Sequence, residues 1–159
     1  MQVRSTAKAI IVHNGRVLLN KCYDEHNGHY YSLPGGGQRQ YEPIEEAIVR
    51  ECLEETGYAV TPLRFAALYE EICLDEEIRA TYPQYAHKLY HIFVCALASE
   101  DVIAPTETDD LQLGAVWVEV EELKNIRLLP GAIGAHLLEL IDGAPPMFLG
   151  TAHIPFGHG

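Results

Sequence analysis

Gly36-Gly37-Gln38-Arg39-Gln40-Tyr41-Glu42-Pro43-Ile44-Glu45-Glu46-Ala47-Ile48-Val49-Arg50-Glu51-Cys52-Leu53-Glu54-Glu55-Thr56-Gly57 is the stretch on which the reading of this chain turns. A glycine loop runs into a segment that no glycine or interior proline interrupts from Pro43 to Thr56. Pro43 suits a first helical turn and Gly57 suits the residue just past a helix end, so the spacing predicts one helix of about four turns. Ile44, Ala47 and Ile48 fall at the spacing of a buried stripe, and steps of three and four along it reach Glu51, Glu54 and Glu55. A core-facing stripe thus ends in three carboxylates. Acids brought together on partly buried ground must protonate, find cations or bind metal. Oxygen-only ligands favour a hard ion such as Mg²⁺ or Mn²⁺. A solvated acidic face would oppose an apolar stripe, whereas these acids continue it, and Pro34-Gly35-Gly36-Gly37 stands just upstream, where backbone can approach a ligand closely.

Read as Gly, five residues, Glu, seven residues, Arg-Glu, apolar, any, Glu-Glu, any, Gly, apolar, the segment Gly36 to Tyr58 resembles the Nudix box at every specified position, with Cys52 and Tyr58 in the two apolar slots. Seven fixed residues at frequencies of about one in fifteen coincide by chance on the order of once in a hundred million starting positions. Tyr41 stands where many relatives carry a second loop glycine. The resemblance implies a Nudix α/β/α sandwich with a mixed β-sheet between helices. It further implies hydrolysis of a nucleoside diphosphate linked to another moiety, with ADP-ribose, an oxidised nucleoside triphosphate and a dinucleoside polyphosphate all open. Glu51, Glu54 and Glu55 and the carbonyl of Gly36 would hold Mg²⁺ or Mn²⁺, Arg50 would orient a helix carboxylate, and Glu42 would support the site from outside. A further carboxylate shortly before the tryptophan strand would join the metal or activate water; Glu107, Asp109 and Asp110 all qualify by type, and Asp110 is the residue taken as ligand. Arg39 would contact substrate phosphate or balance local acids. The competing classes are a nucleotide-sensing domain without turnover, which the intact acid set opposes, and an isoprenoid diphosphate isomerase, for which no suitable cysteine context is found.

The chain has 159 residues, of which 48% are apolar, enough for a core, and a single domain over 1–159 is expected with 143–159 as a C-terminal tail. A formal charge of −12 argues against tracking a nucleic-acid polymer but not against a small phosphorylated substrate whose metal inverts the local field. Cys22, Cys52, Cys73 and Cys95 form no Cys-x-x-Cys pair, which fits reduced thiols in a cytoplasmic protein. Neither a signal peptide nor a membrane span is read.

Around the central stretch, Asn14-Gly15 joins two apolar runs, Ala7 to Val12 and Arg16 to Lys21, into a hairpin. Tyr30 to Leu33 forms a short strand, where Tyr31 is taken as a base or ribose contact against a competing packing role. Phe65 to Tyr69 is a strand whose trailing Glu70 and Glu71 read as half-exposed edge residues. The stretch from Asp75 to Ala86 reads as a loop that contacts substrate or forms a homodimer. His87 to Ala98 is the longest strand, with His87 and His91 on one face and His91 taken as a substrate contact. Ala115 to Val118 is the next strand and Ala132 to Ile141 a terminal helix, after which the tail has turn composition.

Overall fold

The computed structural model describes residues 2–107 and 111–155. In chain order the elements are β1 (Arg4–His13), β2 (Arg16–Asp24), β3 (Gly28–Ser32), β4 (Gly35–Gly37), α1 (Ile44–Thr56), β5 (Tyr58–Cys73), α2 (Glu76–Thr81), β6 (His87–Val102), β7 (Gln112–Glu119), α3 (Gly131–Ile141) and β8 (Met147–Ile154). Short 3-10 turns occupy Pro83–Tyr85 and Val120–Asn125.

Asn14 and Gly15 both have positive φ, 50° and 73°, as a type I′ turn requires, and they close the β1–β2 hairpin. The pair parts at once. Only Val12 with Val17 and His13 with Arg16 face each other, after which β2 pairs with β3 and β7 while β1 pairs with β4 and, in parallel, with β6. The sheet order is β3-β2-β1-β6-β5-β8, with β4 on β1 and β7 on β2. The wedge opened between β1 and β2 is where the cleft described below lies.

Alternation along the strands sends side chains to two cores. Ala7, Ala9 and Ile11 of β1 and Phe93 and Cys95 of β6 pack with Ala47, Ile48 and Cys52 of α1. On the other face, Ile10, Tyr90, Ile92 and Val94 pack with Ile133 and Leu137 of α3. Helices on both faces of a mixed sheet make this an α/β/α sandwich, as expected.

Two segments depart from the sequence reading. The expected loop from Asp75 to Ala86 contains α2, capped by Asp75, whose carboxylate accepts from the Ile78 N–H at 2.8 Å. No residue of α2 is buried, so the segment offers none of the apolar periodicity by which helices are read. The expected tail contains β8, which pairs in parallel with β5 from Ala67–Met147 to Cys73–Ile154. The backbone groups on that edge of β5 thereby gain partners, a need invisible when Pro145, Pro146 and Gly150 dominate the local composition. Among the described residues, no helix is long and apolar enough to cross a membrane.

Candidate active site

Helix α1 begins after Pro43, which sits at the N-cap with φ −59° and ψ 143°, one position earlier than expected, and caps it only through its carbonyl, which accepts from the Ala47 N–H at 3.0 Å. It ends at Gly57, whose φ of 79° is the left-handed turn that favours glycine. Upstream, β4 lays Gly35 to Gly37 against Lys8 to Thr6 of β1. A side chain on Gly36 would place its Cβ 2.5 Å from Glu51 Oε2, so the absence of one lets the carboxylate lie directly on the loop backbone. Tyr41 adopts φ 65°, the conformation a glycine would take there, with its ring 96% exposed.

The three helix acids have different surroundings. Arg50 gathers two of them: its Nη1 donates to Glu51 Oε1 at 2.7 Å and to Glu54 Oε2 at 3.2 Å. The rest of the guanidinium faces the loop, with Nε and Nη2 donating to Glu42 at 2.7 and 2.9 Å and Nη2 also to the Gly37 carbonyl at 3.0 Å. This bidentate pairing with Arg50, working against burial and helped by the Arg39 N–H, holds the Glu42 carboxyl down at about 2. The Glu42 bonds likewise outweigh burial and raise Arg50 above its ordinary value, with Glu51 adding to the effect.

Glu55 instead points inward. It is 9% exposed, and accepts from the buried Asn20 Nδ2 at 2.5 Å, from the Gly35 N–H at 2.9 Å and from Gln112 Nε2. Burial pushes its pKa up; Lys8, Gly35 and Gln112 oppose the shift and Glu51 adds to it. Lys8 in turn bonds the carbonyls of Leu33 and Gly35, each at 3.3 Å. With Glu51 and Glu54 drawn onto Arg50 and Glu55 onto Asn20, no group of three His, Cys, Asp or Glu side chains is gathered as a ready cation cage among the described residues. The donor chemistry nevertheless fits a hard cation: Glu51 Oε2 lies against the Gly36 backbone, and no described residue donates to it.

Part of this network, Glu51 and Glu55 but not Glu54, lines a cleft of about 350 Å³. Glu51, Glu55, Glu107 and Gly36 meet Arg4 and Lys8 there, and Tyr30, Leu129, Pro130 and Ile133 supply an apolar wall. Glu107 is delivered by a return loop that is laced to the end of α1. The amides of Thr106 and Glu107 both donate to the Glu54 carbonyl at 2.9 Å, and Ile103 N–H donates to the Gly57 carbonyl at 3.0 Å. Asp109 and Asp110 lie outside the described residues. Arg39 lies outside the cleft lining, 3.6 Å from Glu54 Oε1. Tyr31 packs with the α3-side core, and its neighbour Tyr30 lines the cleft in its place. His91 is off the cleft, its Nδ1 beside the Thr6 carbonyl at 3.3 Å and Ser5 Oγ at 3.4 Å. Lys8, Asn20 and Gln112 also belong to this network; Lys8 and Asn20 are polar residues interrupting the apolar runs of β1 and β2, whereas Gln112 carries no such signal in sequence.

A glycine strand thus feeds an acid-bearing helix beside a cleft, in a mixed sheet held between helices. The NUDIX domain profile matches residues 3–137. The nucleoside triphosphatase NudI of Klebsiella pneumoniae (strain 342) is 32% identical over 134 residues, covering 80% of this chain and 90% of the relative. A NUDIX hydrolase from Nitrosomonas europaea superposes with a TM-score of 0.68 at 18% identity, over 97% of this chain and 80% of the other. An ADP-ribose pyrophosphatase from Streptococcus suis does so with a TM-score of 0.62 at 18% identity, over 92% and 99%. The chain belongs to the Nudix family, whose members are pyrophosphohydrolases.

Proposed function

We propose that this protein hydrolyses a diphosphate bond in a nucleoside diphosphate linked to another moiety, a nucleoside triphosphate or an ADP-ribose-like compound. The observation that carries this reading is the cleft itself, in which carboxylates on α1 and the Gly36 backbone face Arg4 and Lys8, next to an apolar wall able to take a nucleoside. Both substrate types are named among the similar proteins. Glu51, Glu54 and Glu55 with the Gly36 carbonyl would hold Mg²⁺ or Mn²⁺, joined by Glu107, Asp109 or Asp110. An ion held there would supply positive charge against the diphosphate oxygens and a lowered pKa for the attacking water.

The chain's own residues prepare that site. Arg50 holds Glu51 and Glu54 side by side and is itself fixed by Glu42, so it positions the acids and leaves no free fork for substrate. Lys8 ties down the carbonyls of Leu33 and Gly35 and offsets the charge of Glu55. Tyr30 borders the space for the base, and Arg39 supplies positive charge beside Glu54. The charge of −12 suits a cytoplasmic enzyme acting on small nucleotides better than one acting on capped RNA.

The test is a panel of nucleoside triphosphates and nucleoside diphosphate sugars assayed with Mg²⁺, with Mn²⁺ and with excess chelator. Turnover that disappears in chelator and returns with either ion is expected. Undiminished turnover in chelator would remove the metal from the reading, and tight nucleotide binding without turnover would make the domain a sensor.

A further inference from the structure

Beyond the cleft, a second depression of about 560 Å³ opens, and Arg4 belongs to the lining of both. Its other polar lining includes Ser5, Gln38, Arg39, Gln40 and Gln84, and no carboxylate is among its described lining residues. In a chain with 23 acidic and 11 basic residues, a surface hollow bearing two guanidiniums and no acid runs against composition.

Arg4 is held but not neutralised. Its guanidinium lies 4.8 Å from the centroid of the Tyr85 ring and so close to Gly37 that a Cβ there would come within 2.6 Å of Nη2. The residue is half-buried, and no described carboxylate or carbonyl accepts from it. Two residues along the same face of β1, Thr6 is 4% exposed, and its Oγ1 is the one buried side-chain polar atom without a partner among those described. The rim is also rigid, because Gln38 is tied to β1 by its N–H to the Ser5 carbonyl at 3.0 Å and by Ser5 Oγ at 2.7 Å. A preorganised planar fork with open donors, beside a second arginine, matches the oxygens of a phosphate.

We propose that this depression receives the far end of the substrate and that this end carries its own ionised phosphate. The preferred substrate class is then a nucleoside polyphosphate rather than a nucleoside diphosphate closed by a neutral sugar. This rests on the reading that the α1 carboxylates serve the scissile diphosphate. It also gives the exposed segment 75–86 a task, since Tyr85 orients Arg4 from above.

Two measurements test it. In steady-state assays with Mg²⁺, the wild type is expected to favour a nucleoside triphosphate over a nucleoside diphosphate sugar. Arg4→Gln should raise KM for the triphosphate about ten- to a hundred-fold, the range a charge-assisted bond supports, and by at least about ten-fold more than it raises KM for the sugar nucleotide. Arg4→Lys should fall between, and Tyr85→Leu, which removes an exposed ring and no charge, should reproduce part of the loss. In calorimetric titrations with inorganic tripolyphosphate in excess chelator, the wild type should bind, and the Arg4→Gln/Arg39→Gln double variant should bind at least about ten-fold more weakly. Equal losses on both substrates, or tripolyphosphate binding unchanged in the double variant, overturn the proposal. If the wild type hydrolyses neither substrate the proposed function fails, and the tripolyphosphate titration still decides the subsite on its own.

Discussion

Arg50 commits every nitrogen of its guanidinium to the protein, and the pH response of the fold should show it. Glu42 has a folded pKa of about 2 against an ordinary 4.5. A depressed carboxyl contributes stability that is complete above its unfolded pKa and is lost as pH falls towards its folded one. Arg50→Gln should therefore flatten the fall of the urea midpoint between about pH 5 and pH 3, and an unchanged slope would place the acid sensitivity elsewhere. The helix acids separate by their neighbours. Glu54→Gln should lower the rate by orders of magnitude while leaving the fold intact. Glu55→Gln should do the same and also destabilise by about 1–3 kcal/mol, since a carboxamide cannot satisfy Asn20, Gln112 and the Gly35 N–H without turning a donor onto a donor. Glu45 and Glu46 are exposed, and their glutamine variants should stay within a few-fold in rate. Equal damage from Glu45→Gln would put the acidic stripe on the wrong face.

Elements with their own periodicity were legible in the sequence. Helix α1 and strand β6 announce themselves through stripes and alternation, and the Asn14-Gly15 turn through chemistry that only such turns want. What stayed hidden depends on who lies opposite. Glu70 and Glu71 look alike in sequence, yet Glu70 faces His87 and Thr151 at the surface, while Glu71 is wholly buried. Register sets Glu71 directly across from Lys88, whose Nζ is 3.0 Å away, and the hydroxyls of Tyr69 and Tyr90 donate to the same carboxylate. Burial pulls the Lys88 pKa down, but Tyr90 and Glu71 outweigh it and keep the ammonium charged, while burial pushes Tyr90 up to about 12. Lys88→Met should cost about 3–5 kcal/mol by stranding a buried charge. Adding Glu71→Gln should restore most of that loss in thermal melts; no recovery in the double variant would mean that the pair is not the source of the effect. The cleft was half legible in the same sense. Glu51 and Glu55 lie on one helix and share a motif, whereas Glu107 comes from a return loop and Lys8, Asn20 and Gln112 from three strands that meet only in the folded sheet.

At the scale of the whole molecule, charge and topology act separately. The excess of acid has a local exception on the flank of the cleft, where Arg4 and Arg39 line the second depression with no described carboxylate beside them. The sheet holds the cleft open because β1 leaves β2 after its turn and takes β6 as its partner.

That exchange of partners also has a consequence in time. Residue 4 pairs with residue 88 and residue 67 with residue 147, so two ladders of the sheet join stretches that a growing chain produces far apart. The β1–β2 hairpin can close as soon as it is made, but the strand that braces it from the other side arrives only with β6. Long loops must be closed before such contacts reward them, which places folding in the slow, millisecond-to-second range. Stopped-flow refolding should show Ile92→Val, at the centre of the β1–β6 ladder, slowing folding, and Ile154→Val, on the edge strand, chiefly speeding unfolding. The reverse pattern would mean that the edge forms first. On the expected order, the glycine strand and its helix wait for β6 before they are held in place, so the cleft is among the last parts of the nascent protein to become competent.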